Sequence, residues 1–275
     1  MAKKIVSHVS PTQIGQFYFC PVSYKYYYVD GIKPEFRDNI YTVYGSALHE
    51  ALAFNYNQKI LSRKDLNYLE LYNDIFLKEL EKGVIKLRIP AHDYQYREMV
   101  VVTEMVLKNY MEKIAPGIQP ILVEHRFEIA LKKYPIKIVG IFDLVTEDGF
   151  VIDHKTAGKT YKKTWTQKAV DGNLQFTFYA AAYRKMFGKK EAGIRADIIP
   201  RLAGVDPMII TSQRSDDDIR RILDTATAIE KITAFGMFIP NTANCGVCPL
   251  KNTCPKQVIQ PTKEDLEDYQ IRFGL

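Results

Sequence analysis

The chain has 275 residues, 47% of them hydrophobic and 25% charged, with a net charge of +6 and four cysteines. That length supports one large or two modest domains without disulfide staples, and the composition excludes a disordered or fibrous chain. No apolar run reaches membrane-spanning length and the first residues carry no signal-peptide core, so the expected compartment is the cytoplasm, with no membrane partner. There, cysteines point to metal or redox chemistry before they point to disulfides. The modest positive balance accommodates a polyanion without requiring one.

Residues 3–9 read as a short strand. Ser10-Pro11 is an N-cap followed by proline at the first helical position, predicting a helix to about residue 19, ahead of Cys20-Pro21. Tyr24, Tyr26, Tyr27 and Tyr28 surround Lys25, either as a stacking platform for bases or as core and rim packing. Residues 31–38 read as a loop. Residues 44–61 form a helical pattern that carries His49 among Ala47, Leu48 and Leu52; alone, it reads as a core histidine or as a ligand. Residues 64–83 and 91–114 give two further helices, with Asp65 and Asp93 near their starts.

From residue 119 the period becomes that of β structure. Residues 121–130 are one strand, and 136–145 with 150–156 form a hairpin around Glu147-Asp148-Gly149. Both arms are apolar on both faces, as expected of central strands covered by helices. Asp143, Asp153 and Lys155 interrupt them, and a buried carboxylate is costly unless something compensates its charge. A two-residue loop would send the two aspartates to opposite faces. A three-residue loop, with Gly149 left-handed in a bulge, pairs 143 with 153 and gathers Asp143, Asp153 and Lys155 on one face. The three-residue loop is the expected one. Hard oxygen ligands suit Mg²⁺ or Mn²⁺. The alternative is a hairpin whose acids face solvent.

The segment 157–168 contains Lys159, Tyr161, Lys162, Lys163, Trp165 and Lys168. Following the acids directly, it is either a solvated loop or a track for a phosphate backbone with aromatic stacking. Residues 173–187 are helical, with Gln175 and Tyr179 one turn apart. Strands follow at 193–202 and 207–211, then a helix from Ser215 to about residue 235 with acids at its positive end. A last helix starts at Thr262. Cys245, Cys248 and Cys254 lie in one short loop, while Cys20 sits at the other end of the chain. That three-plus-one split, with a proline after each of Cys20, Cys248 and Cys254, suits iron–sulfur ligation better than zinc, with unliganded thiols the remaining alternative.

Taken in order, these motifs resemble the RecB-like branch of the PD-(D/E)xK nucleases, in particular the iron–sulfur exonucleases related to AddB and to CRISPR-associated single-strand exonucleases. Gly45 to His49 is similar to the metal-binding histidine helix. Gly140 to Asp143 and Asp153-His154-Lys155 resemble the second and third nuclease motifs, and Gln175 to Tyr179 resembles the QxxxY motif. The four cysteines resemble the cluster ligands, and Glu124 aligns with a recurring upstream acid. Asp153 stands where many relatives have glutamate, and no GxxxxGK[ST] motor motif is present.

The resemblance implies a single α/β domain with a mixed central sheet. It also implies a helical insertion at about 60–115 and a cysteine-cluster cap from about 10–30 and 240–260 that joins the termini. His49, Asp143, Asp153 and the backbone carbonyl of His154 would hold Mg²⁺ or Mn²⁺. Lys155 would position the attacking water, and Gln175 and Tyr179 would orient DNA or the lysine. A 4Fe–4S cluster on the cysteines would be structural. The implied activity is a DNA exonuclease, with single-stranded DNA as substrate, in recombination, repair, phage replication or CRISPR adaptation, with a protein partner from one of these systems. The alternatives are a non-catalytic DNA-binding adaptor or a structure-specific endonuclease.

Overall fold

The computed structural model describes residues 8–32, 39–90, 92–130, 134 and 136–254. Its elements begin with β1 (His8–Val9), α1 (Pro11–Phe19), α2 (Pro21–Tyr24) and a π-helical turn, Lys25–Val29. Next come α3 (Ile40–Ser62), α4 (Tyr68–Glu70), a π-helical stretch Leu71–Phe76, α5 (Leu77–Leu87) and α6 (Tyr94–Lys113). Then follow β2 (Pro120–Ala130), β3 (Lys137–Thr146), β4 (Phe150–Ala157), α7 (Tyr161–Thr164), α8 (Gln167–Asp171) and α9 (Leu174–Phe187). β5 (Gly193–Pro200), β6 (Met208–Ser212), α10 (Asp216–Phe235) and a 3-10 helix, Thr242–Val247, follow.

Caps explain most boundaries. Ser10 and Gln13 form a reciprocal box at the start of α1, and Ser215 and Asp218 do the same for α10. The sequence pattern starts α3 at residue 44, but the helix begins earlier because Asn39 Oδ1 accepts the N–H groups of Tyr41 and Thr42. The helix expected from residue 64 begins only at Tyr68, capped by Asn67, because Asp65 is held by Lys59 and Asn55 instead. The segment 157–168, read as either a solvated loop or a track for a phosphate backbone, folds into α7 and the start of α8. The helix expected at Thr262 lies outside the described residues.

The sheet is mixed and has six strands among the described residues. β3 is its hub. β2 runs antiparallel along one edge of β3 for almost its whole length. The opposite edge is shared: β1 pairs in parallel at Lys137 and Ile138, and β4 pairs antiparallel at Leu144 and Val145. Between these two ladders, the edge of β3 from residue 139 to 143 has no strand partner among the described residues. β4 continues into a parallel ladder with β5 from Phe150 to Ala157, and β5 pairs antiparallel with β6. Helices cover both faces. α1, α9 and α10 bury one face, with Phe142, Val145, Val151, Ile194 and Ile198 in its core. α3, α5 and α6 bury the other, around Leu144, Ile152 and Ile199. The helices at 68–113 therefore form one wall of the sandwich together with α3. This is the α/β architecture with a mixed central sheet expected from the sequence.

The hairpin has the three-residue register: Leu144 pairs with Ile152 and Val145 with Val151, which sets residue 143 opposite 153. Gly149 takes φ +90° and donates its N–H to Thr146 O at 3.0 Å, a backbone shape that an L side chain resists. Gly140 is needed for space: a Cβ there would lie 2.4 Å from the Phe127 ring. Near the same place, both β2 and β3 slip in phase. Phe127, Ile129, Ile138 and Phe142 face α9, as do Leu122 and Val145, whereas Val123 and Leu144 face α3. The slip falls at Glu124 and Asp143. Glu124 carries φ +44°, a strained backbone for a non-glycine residue within a strand. Two segments distant in sequence also meet. Asn244 Nδ2 donates to Phe19 O at 2.6 Å, and Asn241 N donates to Cys20 Sγ at 3.4 Å.

Candidate active site

Where β3 and β4 part, a polar slot opens in an otherwise apolar sheet. Asp143 Oδ2 accepts the His154 N–H at 2.9 Å, taking the place of a ladder carbonyl. From α3, His49 Nε2 donates to the His154 carbonyl at 2.9 Å. Its Nδ1 lies 3.6 Å from Asp143 Oδ2 and 3.9 Å from Glu124 Oε1. Ligand atoms of His49, Glu124 and Asp143 all lie within 4.8 Å of one another, a fit for one hard cation. Asp153 lies beside this group rather than inside it.

Asp153 is fully buried and belongs to a closed ring of polar contacts. Lys155 Nζ lies 2.8 Å from Asp153 Oδ2, an ion pair whose angle falls short of a hydrogen bond. Lys155 donates to Gln175 Oε1 at 3.1 Å, and Gln175 Nε2 donates to Tyr179 OH at 2.6 Å. Tyr179 OH then donates to Asp153 Oδ1 at 3.2 Å. Gln175 and Tyr179 can both take part because they sit one turn apart on α9. Asp153 Oδ2 has no hydrogen-bond donor, so a buried carboxylate oxygen is left with only the lysine charge beside it.

The electrostatics follow from burial. Burial pushes the Asp143 carboxyl from its ordinary 3.8 up to about 7, and Asp153 adds to the rise against His49 and Lys155. Burial raises Asp153 as well, opposed by Lys155. For His49, burial alone favours the neutral form, but Glu124, Asp143 and Asp153 together outweigh it and raise its pKa. Two carboxyls that resist ionisation side by side are the state expected of a site built to share a positive charge.

Behind the slot, a second network holds His154. Its Nε2 donates to Tyr110 OH at 2.9 Å, and that hydroxyl donates to the buried Asp197 at 2.9 Å. Tyr56 OH lies 3.0 Å from Tyr110 OH and its ring stacks on His154. Arg195 grips Asp197 with two bonds of 2.6 and 2.8 Å. Burial, followed by His49, Arg195 and Lys155, keeps His154 neutral. This network was not read from the sequence. Asp197 carried a usable signal, a lone carboxylate in an apolar strand, whereas Tyr110 carried none.

The remaining expected residues fall on two surfaces. Lys159, Lys162, Lys163 and Lys168 are exposed, and Trp165 is half-buried. Tyr161 is buried in the core on the α9 side, so its ring is committed to packing. Cys245 is exposed, and Cys20, Cys248 and Cys254 are half-buried, with no disulfide among the four. Burial pushes the Cys254 thiol up, and Cys248, Cys20 and Cys245 reinforce the shift, so the four gather in one place. No helix among the described residues is long and apolar enough to cross a membrane.

The model of the PD-(D/E)XK nuclease superfamily matches residues 8–255. No curated protein matches significantly. Among solved structures, a chain from Eubacterium rectale, described only as a candidate exonuclease, is 11% identical at a TM-score of 0.58, covering 85% of this chain and 84% of that one. At that identity the likeness shows the fold alone. The structure of SSO0001 is 14% identical over 74% of this chain and 96% of that chain, but its TM-score of 0.34 carries no argument.

Proposed function

The chain belongs to the PD-(D/E)XK nuclease superfamily, and from that premise we propose that it is a divalent-metal-dependent DNA exonuclease acting on single strands. One observation carries the reading: His49, Glu124 and Asp143 converge within 4.8 Å, beside a lysine locked to a second buried carboxylate. The donor set, one imidazole with carboxylates and the nearby His154 carbonyl, fits Mg²⁺ or Mn²⁺. When bound, such an ion polarises a phosphoryl oxygen and acidifies a water. The chain's own residues supply orientation. The Gln175–Tyr179 pair holds Lys155 and Asp153 in a fixed ring, leaving the ammonium aimed at the slot to place a water for in-line attack and to offset developing charge. Exposed Lys159, Lys162, Lys163 and Lys168, with half-buried Trp165, give the strand a basic approach.

We read the cysteine cap as the seat of a 4Fe–4S cluster, because three ligands from one loop and one from a distant segment suit iron–sulfur ligation better than the paired knuckles of zinc. Hydrolysis moves no electrons, which makes the cluster a staple between two segments distant in sequence.

The test is cleavage of end-labelled linear and circular single-stranded DNA by anaerobically purified protein, with Mg²⁺ or Mn²⁺ and with chelator, alongside its absorbance spectrum. Metal-dependent loss of the linear strand, survival of the circle and broad visible absorbance are expected. Cutting of the circle would replace the exonuclease with an endonuclease, and no cleavage with either metal would overturn the reading.

A further inference from the structure

Arg214 and Arg201 both turn inward, and they are treated differently. Arg214 is buried with its donors occupied: Nε reaches Thr177 Oγ1, Nη1 reaches Ser212 Oγ and Gln213 O, and Nη2 reaches Val170 O and Asn173 O. Arg201, just past the end of β5, has buried Nε and Nη1 atoms with no hydrogen-bond partner. Its backbone is fixed, since its N–H donates to Ala157 O at 2.8 Å. Its guanidinium carbon lies 4.2 Å from the centre of the Tyr41 ring and 5.4 Å from that of Tyr44. The two rings lie beside the guanidinium as cation–π partners and supply it with no hydrogen-bond acceptor.

Arg201 lines a cavity of about 270 Å³ shared with Tyr41, Tyr44, Gly158 and Lys159. Exposed Glu98 also contributes to its wall. A cation whose N–H groups lack acceptors in a half-buried site is costly, and an oxyanion supplies both acceptors and charge. The planar fork of arginine matches phosphate geometry, and Lys159 adds a second positive charge at the opening. Gly158 lies close to the guanidinium: a Cβ there would sit 3.4 Å from Arg201 Nη2.

The cavity lies next to the catalytic slot along both elements that build it. Gly158 follows Lys155 by three residues of strand, about 10 Å. Tyr44 precedes His49 by five residues of α3, about 7.5 Å. We propose that this pocket is a phosphate subsite, in which Arg201 and Lys159 hold a phosphate of the nucleic-acid strand a short distance from the scissile one. The identity of the strand rests on the nuclease reading; the capture of an oxyanion does not.

The experiment uses the full chain with metal chelated. Binding of labelled single-stranded oligonucleotides is measured across salt for wild type, Arg201→Gln, Arg201→Lys and Lys159→Gln, and melting temperatures are read with and without inorganic phosphate. Losing one phosphate contact on a single strand should lower the slope of log K against log salt by about 0.7. Arg201→Gln and Lys159→Gln should each show that loss, while Arg201→Lys keeps most of the slope. Inorganic phosphate should raise the melting temperature of wild type more than that of Arg201→Gln. Lys159 is exposed, so its variant tests the pocket without risk to folding. Loss on circular and linear strands alike identifies an internal phosphate, whereas loss only on phosphorylated ends identifies a terminal one, and either supports the subsite. Equal slopes and equal phosphate shifts in all variants overturn it. A wild type that cuts DNA beside such silent variants sinks the pocket alone. A wild type that binds phosphate through Arg201 but neither binds nor cuts DNA sinks the nuclease reading alone.

Discussion

The slot between β3 and β4 and the cysteine cap are both clusters of ligating side chains, yet they are built in opposite ways. In the slot, every group is tied to another: Asp143 to the His154 N–H, Lys155 and Asp153 to Gln175 and Tyr179, His154 to Tyr110 and Asp197. It is enclosed by α3 and α9, and burial, with Asp153 adding to it, pushes the Asp143 carboxyl up to about 7. The cap is shallow, with Cys245 exposed and hydrogen bonds joining its halves at Phe19 and Cys20. A site assembled by the fold can lose its ion and keep its shape. A site assembled from two distant chain segments depends on what binds there to hold them together.

Four experiments break or sharpen that contrast. The largest effect belongs to Asp143→Ala, which removes both the ion-facing carboxylate and the acceptor for His154. Cleavage should fall below detection while circular dichroism stays native, and wild-type turnover would remove Asp143 from the site. Next, Cys20→Ala should bleach the visible absorbance and lower the melting temperature. A loss of about 2 kcal/mol corresponds to roughly 4–8 °C for a chain of this size. An unchanged spectrum and melting curve would end the staple model.

Third is the pH response of the chelated protein. The folded state raises the Asp143 pKa from 3.8 to about 7, so it binds that proton more tightly than the unfolded chain does. The resulting stability is present in full below 3.8 and is lost as pH rises towards 7. His49, also raised, acts in the same direction. Melting temperature should therefore fall across this window, Asp143→Asn should flatten the fall, and saturating Mg²⁺ should offset it. A melting profile identical in wild type and Asp143→Asn would contradict the burial argument. The smallest effect is Glu124→Gly. Relieving the φ +44° strain should stabilise the chelated protein by about 1 kcal/mol, or roughly 2–4 °C, while weakening Mg²⁺ binding. A destabilised variant with unchanged metal affinity would show that Glu124 serves packing instead.

The sequence by itself determined the local pieces. Ser10, Asn173 and Ser215 announce helix starts because a side-chain oxygen satisfies N–H groups within three residues. Asp143, Asp153 and Lys155 stand out because charge interrupts an apolar run, and Gly149 sets their register because a short loop permits few backbone shapes. Their spacing also makes the superfamily legible. Tertiary structure alone decided the rest. Glu124 enters the site because two strands slip phase together. Tyr161 packs inside because its segment folds into α7. Tyr110 and Asp197, 87 residues apart, meet behind His154. Arg201 is left without acceptors because its neighbours there are the rings of Tyr41 and Tyr44, from a helix far away in the chain. These contacts depend on how helices and strands stack across the sheet, and periodicity along the chain records only which face a residue presents.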